Sequence, residues 1–241
     1  MPLGETLAKW TYLLRKTFLT RASRRHYSQF GEDVLLNQII HPHCRSGVYV
    51  DVGAYHPTKF SNTYFLYRRG WRGVNIDLDP IKIEAFRLAR PRDISICAAV
   101  SDRRRVVTAY AASRYDLGST IDPDTARRQS GLLKTRQVET RTLDEILAET
   151  PYAGTRIDLL CIDAEGHDWP VLQSLDLAVY QPSIVVIESH LDTIERIVND
   201  APYRHLAAQG YRLCSWIHLS LVFRRPDGHI FRAPMSGVGC G

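Results

Sequence analysis

The chain has 241 residues (27.5 kDa), of which 44% are hydrophobic and 24% charged, with a formal net charge of +5 and a pI near 9.0. These values predict one soluble domain with a substantial core. They exclude a transmembrane helix, since no apolar run approaches ~18 residues, and the mild basicity permits an anionic substrate or membrane surface without demanding either.

No nucleic-acid partner is expected. The five cysteines are scattered, with no C-x-x-C pair to suggest zinc or redox work. Cys97 and Cys161 sit in apolar runs and read as small core residues. A reducing, cytoplasmic setting fits this usage. The N-terminus lacks a signal-peptide pattern.

The expected organisation is an N-terminal arm (1–26), one main domain (27–232) and a frayed tail (233–241). In the arm, Leu7, Trp10, Leu14 and Phe18 recur at helical spacing among Lys9, Arg15 and Lys16. This predicts a basic amphipathic helix. It would serve peripheral attachment to a membrane or acidic partner; the plainer and commoner alternative is packing on its own domain or a dimer mate. The stretch Tyr27–Asp33 precedes an apolar run, and Glu32 or Asp33 favours a helix start there. His41-Pro42-His43-Cys44 reads as an ordinary loop rather than a metal cluster.

The stretch 48–80 organises the chain. The apolar run Val48-Tyr49-Val50 ends in Asp51 and Gly53; a polar turn leads to a helical segment, 61–67; a second run, 74–76, stops at Asp77. This is one βαβ unit, whose first loop lies at the carboxyl end of a central strand, where open α/β sheets bind ligands. An acid ending the second strand is placed to accept from ribose hydroxyls. Gly53 permits close backbone approach to a ligand. Ser61 or Asn62 can cap the following helix, whose free N–H groups favour an anionic group. Alone, Asp51 reads as a loop cap and Asp77 as a solvated strand end; together in one unit they favour a nucleoside site. The loop Gly53-Ala54-Tyr55-His56-Pro57 has one glycine, and Pro57 lacks a donor. A pyrophosphate needs G-x-G-x-x-G, which argues against NAD or FAD and for a cofactor without phosphates, such as S-adenosylmethionine.

A helix is predicted over 81–88 and a third strand over 94–100, closed by Ser101-Asp102, where an Asp can accept from an adenine amino group. Residues 106–112 alternate weakly, as a strand would. The pattern-poor stretch 113–136 reads as a lid or a surface loop, and as a lid its arginines and lysine hint at an acceptor bearing phosphate or carboxylate. A strand at 137–140 leads to Thr142, with Glu145 completing a capping box. Buried strands at 157–162 and 184–187 end in Asp163-Ala164-Glu165-Gly166-His167-Asp168 and Glu188-Ser189-His190. Helices at 169–175, 194–198 and 203–209 and an antiparallel pair, 211–217 with 219–223, complete the chain.

If the two buried strands are neighbours, Asp163, Glu165, Glu188 and His190 converge at one sheet edge. Clustered carboxylates repel unless a cation or a shared proton offsets them. Magnesium or manganese would suit Asp163 and Glu188 as first ligands and His190 as a third, and could lower an acceptor hydroxyl's pKa. The catalytic candidates are Asp163, Glu165 and His190, with Glu165 or His190 favoured as base and His167 an alternative. The simpler reading is that these acids cap the next helix or pair with an arginine.

YSQFGEDVLL, VYVDVGAYHP, SNTYFLYRRGWRGVNID, LLCIDAEGHDWPVL and IVVIESH, in this order over about 27–190, resemble the FkbM family of S-adenosylmethionine-dependent methyltransferases. The resemblance implies a Rossmann-like class I methyltransferase fold, α/β, with a seven-stranded mostly parallel sheet and helices on both faces. It implies a cofactor bordered by Gln29 and Phe30, an adenine contact from Asp102 beside Ser101, and a functional DAEG motif. Asp77 with Asp79 departs from the glutamate and asparagine common there, so a shorter acid must reach the ribose. No Asn-Pro-Pro-Tyr signature of amino-N-methyltransferases is present, which favours an oxygen acceptor on a sugar, glycan or natural product. The rivals are a nicotinamide-linked oxidoreductase and a non-catalytic binding or membrane-tethering module.

Overall fold

A computed structural model describes residues 3–19, 25–111, 119–128, 134–228 and 230–231. The chain begins with α1 (Leu3–Leu14), continued by a π-helical segment, Arg15–Leu19. Then follow α2 (Glu32–Ile39), β1 (Val48–Val52), α3 (Tyr64–Arg69), β2 (Arg72–Asp77), α4 (Pro80–Ala89), β3 (Ile94–Cys97) and β4 (Ala99–Val100). Next come β5 (Val106–Ala111), α5 (Pro123–Arg128), β6 (Lys134–Arg141), α6 (Leu143–Ala148), β7 (Leu159–Ile162), α7 (Asp168–Gln173) and α8 (Leu177–Tyr180). The chain finishes with β8 (Ile184–Glu188), α9 (Ile194–Asn199), α10 (Ala201–Ala208), β9 (Arg212–Ile217) and β10 (Ser220–Arg224).

The main sheet has seven strands in the order β3-β2-β1-β7-β8-β10-β9. The first five run parallel, and β10 is antiparallel to both its neighbours. This is a doubly wound α/β sheet of Rossmann-like type. Its central strands are buried on both faces, which is why they read as continuous apolar runs. Val50, Val52, Val74, Ile76, Leu160 and Ile162 pack with Leu143 and Ile146 of α6 and Val171 of α7. Tyr49, Leu159, Cys161 and Val186, one residue out of phase, pack with Leu36 of α2, Leu66 of α3 and Trp71. The chain winds from β1 to β2 and β3, then returns to place β7 on the other side of β1. The crevice between β1 and β7 is therefore the topological switch point, where such sheets bind ligands.

The expected strand over 94–100 is two strands. β3 pairs with β2, Ala98 donates its N–H to the Asp77 carbonyl at 3.1 Å, and β4 then leaves to pair with β6 in a three-stranded sheet, β4-β6-β5. β6 is longer than the predicted strand and takes the last residues of the expected lid. The rest of that lid contains the short α5; residues 112–118 and 129–133, like the tail from 232, lie outside the described residues. The capping box at Thr142 forms, with Glu145 N–H to Thr142 Oγ1 and Thr142 N–H to Glu145 Oε2 both at 3.1 Å.

Two expectations fail. Cys97 is exposed, because β3 is the edge strand of the main sheet, whereas Cys161 on central β7 is buried. The amphipathic helix forms, but residues 4–19 are all exposed, so its apolar stripe is not packed on its own domain. Among the described residues no helix is long and apolar enough to cross a membrane.

Candidate active site

At the carboxyl ends of β2, β1, β7 and β8 lies a cavity of about 320 Å³. Asp77, Asp51, Gly53, Asp163, Glu165 and Glu188 line it, joined by Gln29, Ala54, Tyr55, Ser61 and Asn62. Eleven of the expected site residues are thus brought together across strands more than a hundred residues apart in sequence. Phe30, Ser101, Asp102 and His190 do not line it.

Asp77 ends β2 and is 5% exposed. Its Oδ1 accepts the Asp79 N–H at 2.8 Å, its Oδ2 accepts the Tyr55 N–H at 3.2 Å, and Lys82 Nζ on α4 lies 3.4 Å from Oδ2. Burial raises its pKa, opposed by Lys82 and the two backbone donors. Asp79 does not share the site; its Oδ1 caps α4 through the Ile81 N–H at 2.8 Å.

Asp51 lies within β1, one residue before its end, and its Oδ2 accepts from Thr63 Oγ1 at 2.6 Å. Burial raises its pKa, against the Thr63 hydrogen bond and the Arg90 cation. Arg90 is fully buried and organises the loop above β1. Its Nε donates to the Pro57 carbonyl at 2.6 Å, its Nη1 to Thr63 Oγ1 at 2.9 Å and to Asn75 Oδ1 at 3.3 Å, and its Nη2 to Ser61 Oγ at 2.7 Å. Its guanidinium also lies 4.9 Å from the Phe86 ring centroid and 5.3 Å from that of Tyr64. The N-cap position of the short α3 is Thr63 rather than Ser61 or Asn62, but Ser61 Oγ accepts the Tyr64 N–H at 3.2 Å, so that donor is not left for an anion. Thr63, Lys82 and Arg90 carried no local signal; Arg90 before Pro91 reads only as a helix end.

Gly53 has φ +74°, and a Cβ there would lie 1.7 Å from the Asp163 carbonyl oxygen. The close approach that requires glycine is to the β7 loop rather than to a ligand. Tyr55 and Phe60 also have positive φ, 57° and 52°, and their rings stack 6.0 Å apart on the cavity wall. Such conformations cost energy and concentrate at functional sites.

The β7 loop turns through Glu165 (φ 51°) and Gly166 (φ 89°), and is tied down by Asp168, whose Oδ1 accepts the Ala164 N–H at 2.7 Å. Burial pushes the Asp168 carboxyl up to about 7. Thr120 Oγ1 donates to the Glu165 carbonyl at 2.9 Å, and a Cβ on Gly166 would lie 2.4 Å from Thr125 Oγ1. The described part of the expected lid is therefore seated on this loop, and its Ser119 and Ile121 line the cavity.

Asp163 and Glu188 are hydrogen-bonded to each other, and both pKa values are raised, first by burial and then by neighbouring carboxylates. Among the described residues no protein donor reaches buried Glu188 Oε2, and a proton shared by the two carboxyls is one way to offset their repulsion. Glu188, with its side chain 11% exposed, is the better place for it. Asp163 is the member of the pair that is open to the cavity. His190 is 55% exposed, with Nε2 3.5 Å from Glu188 Oε1. Among the described residues no three His, Cys, Asp or Glu side chains are grouped to hold a metal ion. His190 does not line the cavity, and the expected Asp163–Glu188–His190 set is not grouped to hold a metal ion among the described residues.

Ser101 and Asp102 reach the cavity only through His167. Ser101 Oγ gives its proton to Asp102 Oδ1 at 2.9 Å, so His167 Nε2, 2.9 Å away, is the donor of its contact with Ser101. Burial and then Arg105 lower the His167 pKa. Asp102 pairs with Arg105 at 3.3 Å and Arg103 at 3.9 Å. Burial works against its charge, but the Ser101 hydrogen bond and these arginines outweigh it, and its pKa is lowered.

The methyltransferase FkbM domain family matches residues 51–213, more than half of the chain. The match begins after the Tyr27–Asp33 stretch and runs past His190 into β9. No curated protein sequence matches. Among solved structures, a TehB-like SAM-dependent methyltransferase from Corynebacterium glutamicum ATCC 13032 Kitasato aligns at 15% identity and a TM-score of 0.43, over 92% of this chain and 97% of that one. An O-methyltransferase from Bacillus cereus, in complex with SAH, aligns at 11% identity and a TM-score of 0.37, over 91% and 97%. No site residue is transferred from either. The strand order, the cavity at its switch point and the match across 51–213 lead to one assignment: the chain belongs to the FkbM methyltransferase family.

Proposed function

We propose that the chain transfers a methyl group from S-adenosylmethionine to a hydroxyl oxygen of a sugar, glycan or natural-product acceptor. The observation that carries this reading is the layout along the sheet edge: buried Asp77 on β2, the tight Gly53 turn after β1, then the hydrogen-bonded pair Asp163–Glu188 on β7 and β8.

The residues fit the donor. Each oxygen of a carboxylate has more than one acceptor site, and Asp77 Oδ1 accepts a single N–H, leaving capacity for ribose hydroxyls. Leu78, Ala99, Val100 and Ile121 give the same end of the cavity an apolar wall suited to a flat base. The loop after Gly53 offers few backbone donors, which suits a cofactor without a pyrophosphate. When bound, S-adenosylmethionine supplies a methyl group on a cationic sulfur that needs no further activation.

The chain's own task is to align an acceptor hydroxyl and remove its proton. Asp163 opens on the cavity and, in its ionised form, takes that proton. Protonated Glu188 holds Asp163 in place through their shared hydrogen bond. Glu165 also lines the cavity, beside the seated lid segment.

The test is incubation with isotopically labelled S-adenosylmethionine and extracts of the source cell, with mass spectrometry of the labelled product. The expected label is on oxygen, and Asp163→Asn should bind donor normally yet transfer methyl roughly 10²-fold more slowly. Label on nitrogen, or full transfer by Asp163→Asn, overturns the reading.

A further inference from the structure

A second cavity, of about 330 Å³, shares no lining residue with the first. Arg25, Arg45, Arg68 and Arg69 line it, with Asp33 as its one acid. Arg45 stands three residues before β1 and Arg69 three before β2, so the basin lies at the amino edge of the sheet, opposite the active site. Asp33, whose Oδ2 accepts the Tyr27 N–H and Oδ1 the Ser28 hydroxyl, both at 2.7 Å, offsets one of the four cations, so the basin stays net positive. Among the described residues, Arg25, Arg45 and Arg68 form no ion pair, whereas Arg103, Arg104, Arg105, Arg127, Arg141 and Arg196 all do. Two of the guanidinium groups are already positioned. Arg68 donates to the Tyr27 hydroxyl and lies over that ring, while Arg69 donates to Asn37 and lies over Phe65. Fixed guanidinium forks of this kind match the oxygens of a phosphate group.

The chain leading into the basin carries the second observation. At roughly 3.6 residues per turn, Leu7, Trp10, Leu13, Leu14 and Phe18 form one stripe over 3–19, and all are exposed. Lys9, Arg15 and Lys16 fall on the opposite side, and Glu5 is the one acid of the segment. Arg25 of the basin follows only six positions after Leu19.

We infer that this end of the protein binds an anionic phospholipid surface, with α1 lying in the interface and the arginine basin taking a lipid phosphate. Such a surface supplies both needs at once. A free phosphate leaves the apolar stripe uncovered. A second copy of the chain opposes cation to cation. An interfacial helix with Trp, Leu and Phe on one face and Lys and Arg on the other has the required character, and basic residues beside it add attraction to anionic lipid.

The experiment is flotation of the full chain with vesicles of phosphatidylcholine alone or of phosphatidylcholine with phosphatidylglycerol. Binding should be at least about tenfold tighter to the anionic vesicles and should weaken with added salt. The double substitution Arg25→Glu with Arg45→Glu, and separately Trp10→Glu, should each reduce it at least about tenfold. S-adenosylmethionine affinity of the variants, measured alongside, should be unchanged, which reports an intact fold. Three results overturn the inference: equal binding to both vesicle types, a thermal shift with inorganic phosphate but no vesicle binding, or a dimer that Trp10→Glu dissociates while no vesicle binding is seen.

Discussion

The missing side chain of Gly53 is the space that the Asp163 carbonyl occupies: a Cβ would stand 1.7 Å from that oxygen. The turn after β1 and the turn after β7 are thereby locked together, and the cavity floor depends on both. Gly53→Ala must move the backbone of one loop and also place alanine at φ +74°. Left-handed strain and overpacking together predict a loss of roughly 2–4 kcal/mol. Chemical denaturation should show this loss, together with weakened donor binding. Retained stability would mean that the loops are not in contact.

Arg90 holds the other wall. It is fully buried at the end of α4 and donates to Pro57, Ser61, Thr63 and Asn75, and Thr63 in turn donates to Asp51. Removing one partner of a buried charged network costs about 3–5 kcal/mol. Arg90→Ala should therefore fall in that range by denaturant titration. Arg90→Lys should recover only a minor part, since an ammonium cannot reach these acceptors as a planar fork does. An Arg90→Ala protein as stable as the parent would show that the network is not formed.

The raised pKa values of Asp163 and Glu188 make stability pH-dependent in a defined direction. Both pKa values are raised in the folded chain, and Asp168 is pushed up to about 7. Between the unfolded carboxyl range near pH ~4 and these raised values, the folded state binds more protons than the unfolded state. The slope of unfolding free energy with pH is then negative. Stability from these groups is fully present below the unfolded pKa and is lost as pH rises through the folded values. Glu188→Gln should flatten this decline and raise the melting temperature at alkaline pH relative to the parent. A parent protein whose melting temperature climbs from pH 5 to pH 9 would contradict these raised values.

The seating of the lid segment on the β7 loop is tested at Gly166, where φ is +89° and a Cβ would lie 2.4 Å from Thr125 Oγ1. Gly166→Ala should cost about 1–2 kcal/mol from the left-handed backbone alone. The clash adds to this, and Thr125→Ala in the same chain should remove only the added part. Calorimetric melting of the single and double variants separates the two contributions. No difference between them would place Thr125 away from the loop.

Much of this architecture is legible in the sequence, for physical reasons that differ by element. Strands β1, β2, β7 and β8 are buried on both faces, so they stand out as short apolar runs ending in acids, and those acids line the cavity. The capping box at Thr142 is a local pattern and forms as read. The split of β3 from β4 is not local: it depends on β6, some forty residues later, offering Ala99 a new partner. The same holds within the site. Asp77 and Asp51 are marked by their strand ends, but Lys82 and Thr63, which pair with them, have no spacing rule that announces them. The apolar runs place Asp163 near Glu188, but nothing local in the sequence shows that their carboxyls come into contact. The exposure of Cys97 is not legible in its apolar run, which does not reveal that its strand lies at the sheet's edge.

The central claim is that Asp77 and the switch-point cavity hold a nucleoside donor, and calorimetric titration of S-adenosylmethionine into the parent and Asp77→Ala proteins tests it most directly. Saturable one-to-one binding by the parent, weakened at least about tenfold in Asp77→Ala through loss of hydrogen bonds to a charged group, is the predicted result. No binding to the parent, or equal affinity in a folded Asp77→Ala protein, would contradict it.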